Sequence, residues 1–175
     1  MLATAYDHEF RQARELLSRF GDVRGSDYRN VLVMNVGDVI AFLEAVHGTL
    51  VTDASLANAV SRIVPVTHGF RFQSPEEFED RARGVVSEWV RDLAGKRFHV
   101  RMHRRGFKGK LSSQHEEQFL DHFVLERTQA GGGTPAVVGF DDPDVIIAVE
   151  TLGHDAGLAR WTREQLRSYE LLRLD

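Results

Sequence analysis

Short strand-forming segments alternate with amphipathic helical segments along the chain, and this alternation limits the fold to a mixed α+β architecture. In the first part, residues 8–20 carry apolar side chains at helical spacing, and residues 30–36 are rich in β-branched residues. Asp7 and Asp38 precede the two helical segments as N-cap candidates. The resulting order, β-α-β-β-α-β, predicts a ferredoxin-like unit over residues 1–72.

The second part opens on a strong helix start and predicts an α/β domain over residues 73–175. Ser74 stands at the N-cap position, Pro75 at the first helical position, and two acidic residues complete the first turn. The boundary between the two parts is predicted near residues 69–73. The later predicted elements are a strand at 97–104, a helix after Ser112 or Ser113, strands at 135–140, 145–149 and 157–161, and a final helix capped by Thr162 and Gln165.

Residues 97–104 alternate between apolar and polar side chains with a period of two. One face carries Phe98, Val100 and Met102, and the other carries His99, Arg101 and His103. This pattern predicts a half-buried strand with a basic outer face.

The charge of the chain is unevenly distributed. There are 22 Lys and Arg residues against 26 Asp and Glu residues, and the net charge of −4 by itself disfavours a nucleic-acid partner. Seven of the basic residues, however, fall within residues 96–110, and residues 93–115 contain no acid. Local potential matters more than total charge to a polyanion, so this stretch predicts a phosphate-binding surface. A solvated run of surface charge is the alternative interpretation.

The candidate phosphate contacts are the basic residues of this strand and of the following glycine-containing loop, with the serine that begins the next helix. They are Arg101, His103, Arg104, Arg105, Lys108, Lys110 and Ser112. Basic side chains neutralise phosphates, glycine lets the backbone approach a ligand, and a helix N-terminus favours an anion. Phe107 lies among them, either to stack on an unpaired base or to anchor the loop in the core.

The residues offer little support for catalysis or metal binding. The chain has no cysteine, which excludes disulfides, thiolate metal sites and a cysteine nucleophile. His99 and His103 would lie about 13 Å apart on a strand. His115 and His122 would lie about 10.5 Å apart along a helix, so neither pair can share a metal ion. The glycines at 131–133 lack the lysine of a nucleotide-binding loop. We therefore expect no catalytic residue, no metal and no cofactor.

Composition and the N-terminal sequence indicate the compartment. Hydrophobic residues make up 42% of the 175 residues, which is enough for one compact core or two small ones. No apolar run approaches the roughly 20 residues of a membrane span, and the N-terminus lacks the pattern of a signal peptide. These features predict a cytoplasmic protein.

Four features of the second part, taken in order, resemble the THUMP domain, an RNA-binding module of tRNA-modifying proteins. They are a helix with an aromatic end at 78–89, a strand ending in basic residues at 97–105, a helix opened by serines and acids at 112–117, and a turn with its following strand at 138–150. Within the turn, Asp142-Pro143-Asp144 is similar to the Asn-Pro-Asp element of the family. A ferredoxin-like unit usually precedes the module, in agreement with the first part of this chain.

The resemblance implies a stand-alone tRNA-binding protein without catalytic activity of its own. Such a protein would hold a tRNA and present it to a separate tRNA-modifying enzyme, with a cytidine acetyltransferase as the implied partner. Two alternatives stay open. The chain is a non-catalytic subunit of another RNA-modifying enzyme, or it is a protein-interaction domain whose acidic body binds a basic partner.

Overall fold

A computed structural model describes residues 1–174 and divides the chain into two compact units. The first unit comprises Met1–Val66 and the segment that begins at Leu166, and the second comprises Thr67–Gln165. The predicted division, 1–72 and 73–175, differs from these units at both ends. Residues 68–71, which overlap the predicted boundary at 69–73, form a strand that pairs with residues 155–158. Such a long-range pairing leaves no signal in the local sequence.

The first unit has a sheet covered by helices. Its elements are β1 (Leu2–Ala5), α1 (Phe10–Leu17), β2 (Asp22–Gly25), β3 (Val31–Asn35), α2 (Val39–Thr52), α3 (Ser55–Ala59) and β4 (Val60–Val64). The strands lie in the order β2-β3-β1-β4, and each neighbouring pair is antiparallel. The predicted order of strands and helices is therefore observed, with the short helix α3 added before β4. Leu17, Leu32, Leu43 and Ile63 are fully buried in this unit.

One of the two predicted helix caps of this unit is confirmed and the other is wrong. Asp38 begins α2 and accepts a hydrogen bond from the Ala41 backbone N–H at 3.0 Å. Helix α1 instead has Glu9 at its N-cap and begins at Phe10. His8, between Asp7 and Glu9, adopts a left-handed backbone conformation (φ 73°), so the helix does not extend back to Asp7. The Asp7 carboxylate accepts hydrogen bonds from Arg29 at 3.1 Å and Asn30 at 2.5 Å.

The second unit is built on a mixed sheet. Its elements are β5 (His68–Arg71), α4 (Pro75–Ser87), α5 (Val90–Leu93), β6 (Arg97–His103), α6 (Ser113–Ala130), β7 (Val137–Val138), β8 (Val145–Leu152), β9 (Asp155–Thr162) and the first three residues of α7 (Arg163–Ser168). The strands lie in the order β5-β9-β8-β6-β7. β6 runs parallel to both β7 and β8, and β9 runs antiparallel to β8 and β5. Helix α6 is the crossover that parallel pairing of β6 and β8 requires.

The core of the second unit confirms the alternation predicted for residues 97–104. Phe98, Val100 and Met102 are buried in one cluster with Phe78 from α4 and Leu120 from α6. Each such side chain contributes about 1.5–3 kcal/mol when it leaves water. Helix α4 begins where predicted, because the Ser74 hydroxyl accepts a hydrogen bond from the Glu77 N–H at 3.2 Å.

Two carboxylates of α6 complete the outer edge of β6. β7 pairs only with Arg97 and Phe98, so the rest of this edge needs other hydrogen-bond acceptors. The Val100 N–H donates to Asp121 at 3.0 Å, and the Met102 N–H donates to Glu117 at 2.7 Å. The two acids are four residues apart and therefore lie on one face of α6. They fix the strand that carries the predicted basic face.

Asp121 makes the stability of the protein depend on pH. Burial raises the pKa of Asp121 from 3.8 to about 6, opposed by the hydrogen bond from Val100. The native state therefore keeps this proton up to about pH 6, whereas the unfolded chain releases it near pH 3.8. The stabilisation is complete below pH 3.8 and is lost as pH rises through 6. It amounts to about 3 kcal/mol.

We expect Asp121→Asn to flatten this pH dependence, because the amide still accepts the Val100 hydrogen bond and has no proton to release. Urea unfolding at pH 4, 5, 6 and 7 measures the difference between the variant and the wild type. Asp27→Asn, at an exposed position, is the control and should keep the wild-type slope. Equal slopes for wild type and Asp121→Asn would assign the pH dependence to other groups.

Across residues 1–174, no helix combines the length and the apolar character that crossing a lipid bilayer requires.

Candidate nucleic-acid interface

The loop that follows β6 is held in place by Phe107. Gly106, Phe107 and Gly109 all have positive φ, at 99°, 51° and 79°. The Phe107 ring packs 4.8 Å from the rings of both Phe72 and His154, centroid to centroid. Its carbonyl accepts hydrogen bonds from the backbone N–H groups of Lys110 and Leu111, both at 3.0 Å. Of the two interpretations of Phe107, the structure supports the loop anchor.

Lys108 and Lys110 project from this anchored loop into solvent. Both side chains are exposed, and Gly109 separates them. Within residues 1–174, no carboxylate forms an ion pair with either ammonium group. They are two of the three lysines in the chain, and the third, Lys96, lies just before β6. Their charges are therefore available to an anion from outside.

Ser112 joins the loop to α6 as its N-cap. The Ser112 hydroxyl accepts a hydrogen bond from the His115 N–H at 3.4 Å, as the sequence predicts. The helix is 18 residues long, so its N-terminus carries a partial positive charge from the aligned peptide dipoles. The two lysines precede this end of the helix by two and four residues. A phosphate is attracted by both features together.

Arg101 and Arg104 differ in what they offer to a ligand. Arg101 is exposed on β6, on the face opposite the core, and lies in register with Ala148 of β8. Arg104 is half-buried, and its guanidinium donates to the Gly106 carbonyl within the same loop. Arg104 therefore supports the loop, whereas Arg101 extends the basic surface along the strand.

His103 and Arg105 converge on Glu150, a carboxylate of β8 that is only 2% exposed. The Arg105 guanidinium donates to Glu150 at 2.5 Å, and the His103 Nδ1 lies 3.0 Å from the other carboxylate oxygen. The Arg105 side chain is 14% exposed. Its backbone is fixed as well, since its N–H donates to Thr151 at 3.0 Å. Arg105 thus ties the end of β6 to β8.

Arg97, the second basic residue of the segment 96–110, forms hydrogen bonds with the turn that precedes β8. Its N–H donates to the Asp144 carboxylate at 2.8 Å, and its guanidinium donates to the Asp141 carbonyl at 2.9 Å. Asp144 also pairs with Arg163 at 3.0 Å. The hydrogen bond from Arg97 is the main reason that the pKa of Asp144 is lowered. The turn that resembles the THUMP element is therefore a structural clamp between β6, β8 and α7.

His99 does not lie on an open basic face. It is buried, its Nδ1 lies 3.2 Å from the Gly139 carbonyl, and its ring packs 5.2 Å from that of Phe140. The alternation of β6 correctly separates its two faces, but the segment around Gly139 covers part of the outer one. Among the described residues at the C-terminal end of β6 and in the following loop, the exposed basic side chains are Arg101, Lys108 and Lys110.

Comparison with known proteins identifies the fold. No protein-family model and no curated protein matches the sequence. Solved structures do match, among them PH1313 from Pyrococcus horikoshii, at 11% identity and a TM-score of 0.58. A 4-thiouridine synthetase in complex with RNA and bound ATP matches at 13% identity and a TM-score of 0.56. TrmN from Thermus thermophilus matches at 19% identity and a TM-score of 0.56. These neighbours are THUMP-domain proteins.

The chain has a THUMP-type fold. The matches cover 91–92% of this chain, so both units take part in the likeness. They cover only 54%, 41% and 44% of the three neighbours, so this chain spans about half their length or less. At these identities the likeness establishes the THUMP-type fold and assigns no activity.

Proposed function

We propose that this protein binds RNA, specifically tRNA, through the loop between β6 and α6, and presents it to a separate tRNA-modifying enzyme. The observation that carries this proposal is the pair of exposed lysines, unpaired among residues 1–174, on an anchored loop in front of the N-terminus of α6. Such a surface neutralises phosphates without ordering itself first, because Phe107 already fixes the loop.

Two further observations support the proposal. One fold neighbour, the 4-thiouridine synthetase, was crystallised with RNA. The first unit has the strand order β2-β3-β1-β4, antiparallel throughout, which supports the ferredoxin-like interpretation and therefore the domain pair typical of tRNA-binding THUMP proteins.

The proposed role is binding and orientation of tRNA, without covalent chemistry. The surface offers ammonium and guanidinium groups and a helix N-terminus, which hold phosphate but supply neither a nucleophile nor a general base. The enzyme that acts on the held tRNA is a separate protein, and a cytidine acetyltransferase is the partner that we propose. Acetylation of tRNA by such an enzyme should increase when this protein is added.

Fluorescence anisotropy with labelled bulk tRNA, at two salt concentrations, tests the binding step. We expect binding whose log K falls by about 0.7–0.9 per phosphate contact for each tenfold rise in salt. A second titration uses tRNA that lacks its 3′ single-stranded end. Weaker binding to this RNA would place the contact at the acceptor end, and equal binding would place it elsewhere on the tRNA. The absence of binding at low salt would refute the proposal.

A further inference from the structure

Three potential metal ligands meet between helices α4 and α6. Glu79 lies on α4, and His115 and Glu116 lie in the first turn of α6. One ligand atom from each residue lies within 4.8 Å of the other two. His115 Nε2 lies 3.4 Å from Glu79 Oε1. The sequence gives no hint of this group, because Glu79 is distant in the chain.

Glu116 is the unusual member of this group, because its carboxylate is buried without enough partners. The residue is 2% exposed, and within residues 1–174 its Oε2 atom has no hydrogen-bond partner. An isolated buried carboxylate costs several kcal/mol unless it is protonated, paired or bound to a metal. The described side chains therefore do not fully balance the negative charge of the buried Glu116 carboxylate.

We infer that Glu79, His115 and Glu116 bind a single Zn²⁺ ion that links α4 to the first turn of α6. Two carboxylates and one imidazole are a donor set that suits Zn²⁺, whereas Mg²⁺ and Ca²⁺ prefer oxygen ligands alone. The ion would neutralise both acids and give the buried Glu116 oxygen a partner. Water would complete the fourth position.

The distances require only a small local adjustment. Ligands at about 2.0–2.2 Å from a tetrahedral ion lie about 3.3–3.5 Å from one another. A separation of 4.8 Å between two ligand atoms must therefore shorten by about 1.3–1.5 Å. His115 Nε2 and Glu79 Oε1, at 3.4 Å, already have this spacing, so the contraction brings these two side chains toward Glu116, and the 66% exposed His115 side chain has room to move. Glu116, fixed by burial, then serves as the stationary ligand. This inference stands apart from the proposed RNA binding.

Calorimetric titration of the EDTA-treated full chain with ZnCl₂ tests the site. We expect one ion per chain, with affinity reduced at least tenfold in His115→Ala and in Glu116→Gln. His122→Ala and Glu126→Gln remove exposed side chains further along α6 and are the matched controls, which should bind as the wild type does. Circular dichroism monitors folding, and His115→Ala keeps the test valid if Glu116→Gln does not fold, because His115 is exposed.

A second measurement uses Co²⁺ as a spectroscopic substitute for Zn²⁺. Visible absorption of tetrahedral intensity in the wild type, lost in His115→Ala, would support the assignment. No heat of binding up to millimolar ZnCl₂ would overturn it. Unchanged zinc affinity in His115→Ala would also overturn it, because the ion would then belong to another of the eight histidines.

Discussion

The double variant Lys108→Ala/Lys110→Ala should bind tRNA about tenfold more weakly than the wild type at moderate salt. Both side chains are exposed, and no described acid neutralises them, so their loss removes phosphate contacts and leaves the core unchanged. The slope of log K against log salt should fall by about 1.4–1.8, since each phosphate contact contributes about 0.7–0.9. Anisotropy titrations at three or four salt concentrations give both quantities. Thermal unfolding should show no change in stability.

The double variant Arg91→Ala/Arg127→Ala is the matched control. It also removes two exposed positive charges from the second unit, so the net charge of the two variants is the same. Arg127 lies at the C-terminal end of α6, at the far end of the helix from Ser112. We expect this control to keep its affinity within about twofold and to keep the wild-type salt slope. An equal loss in both variants would indicate nonspecific attraction and would contradict a site at the loop.

Local sequence signals predicted much of the fold. The caps Asp38, Ser74 and Ser112 and the capping box at Thr162 and Gln165 are all observed, because a cap depends on residues three or four positions apart. The alternation in β6 was also predictable, because it depends only on the two-residue period of a strand. These interactions are encoded within one element and its immediate flanks.

Strand β5 was missed for the opposite reason. Its four residues, His68–Arg71, have no apolar alternation, and three of its side chains are polar or absent. The strand forms because β9, almost ninety residues later, offers a free edge to pair with. The local sequence contains no information about such pairing, and this is why it predicts no strand at these residues.

The basic stretch shows the same limit at the level of single side chains. Composition and position correctly placed all seven cations near one strand and one loop. Only the fold shows that the Arg97 guanidinium donates to the Asp141 carbonyl and the Arg105 guanidinium to the Glu150 carboxylate, each more than forty residues away. Lys108 and Lys110 are exposed on either side of Gly109 in the loop after β6. Charge density in the sequence therefore overestimates the number of groups that a ligand can reach.

We expect Glu150→Gln to lower the free energy of unfolding by about 3 kcal/mol. The substitution keeps the shape of the side chain but leaves the nearly buried Arg105 guanidinium without its counter-charge, and breaking a buried ion pair on one side costs about this much. Urea unfolding at pH 7 measures the change. Glu126→Gln, at an exposed position on α6, should change the stability by less than about 0.5 kcal/mol. A similarly small effect at Glu150 would show that the pair is solvated.

The double variant Arg105→Met/Glu150→Gln separates the two roles assigned to Arg105. Removing the cation together with its partner charge should recover most of the lost stability, because no unpaired charge is then buried. With folding restored, tRNA affinity reports on Arg105 alone. We expect affinity within about twofold of the wild type, since the guanidinium is 14% exposed and committed to Glu150. A loss of tenfold or more in a stable double variant would instead show that Arg105 leaves Glu150 for a phosphate, and would return it to the interface that the sequence predicts.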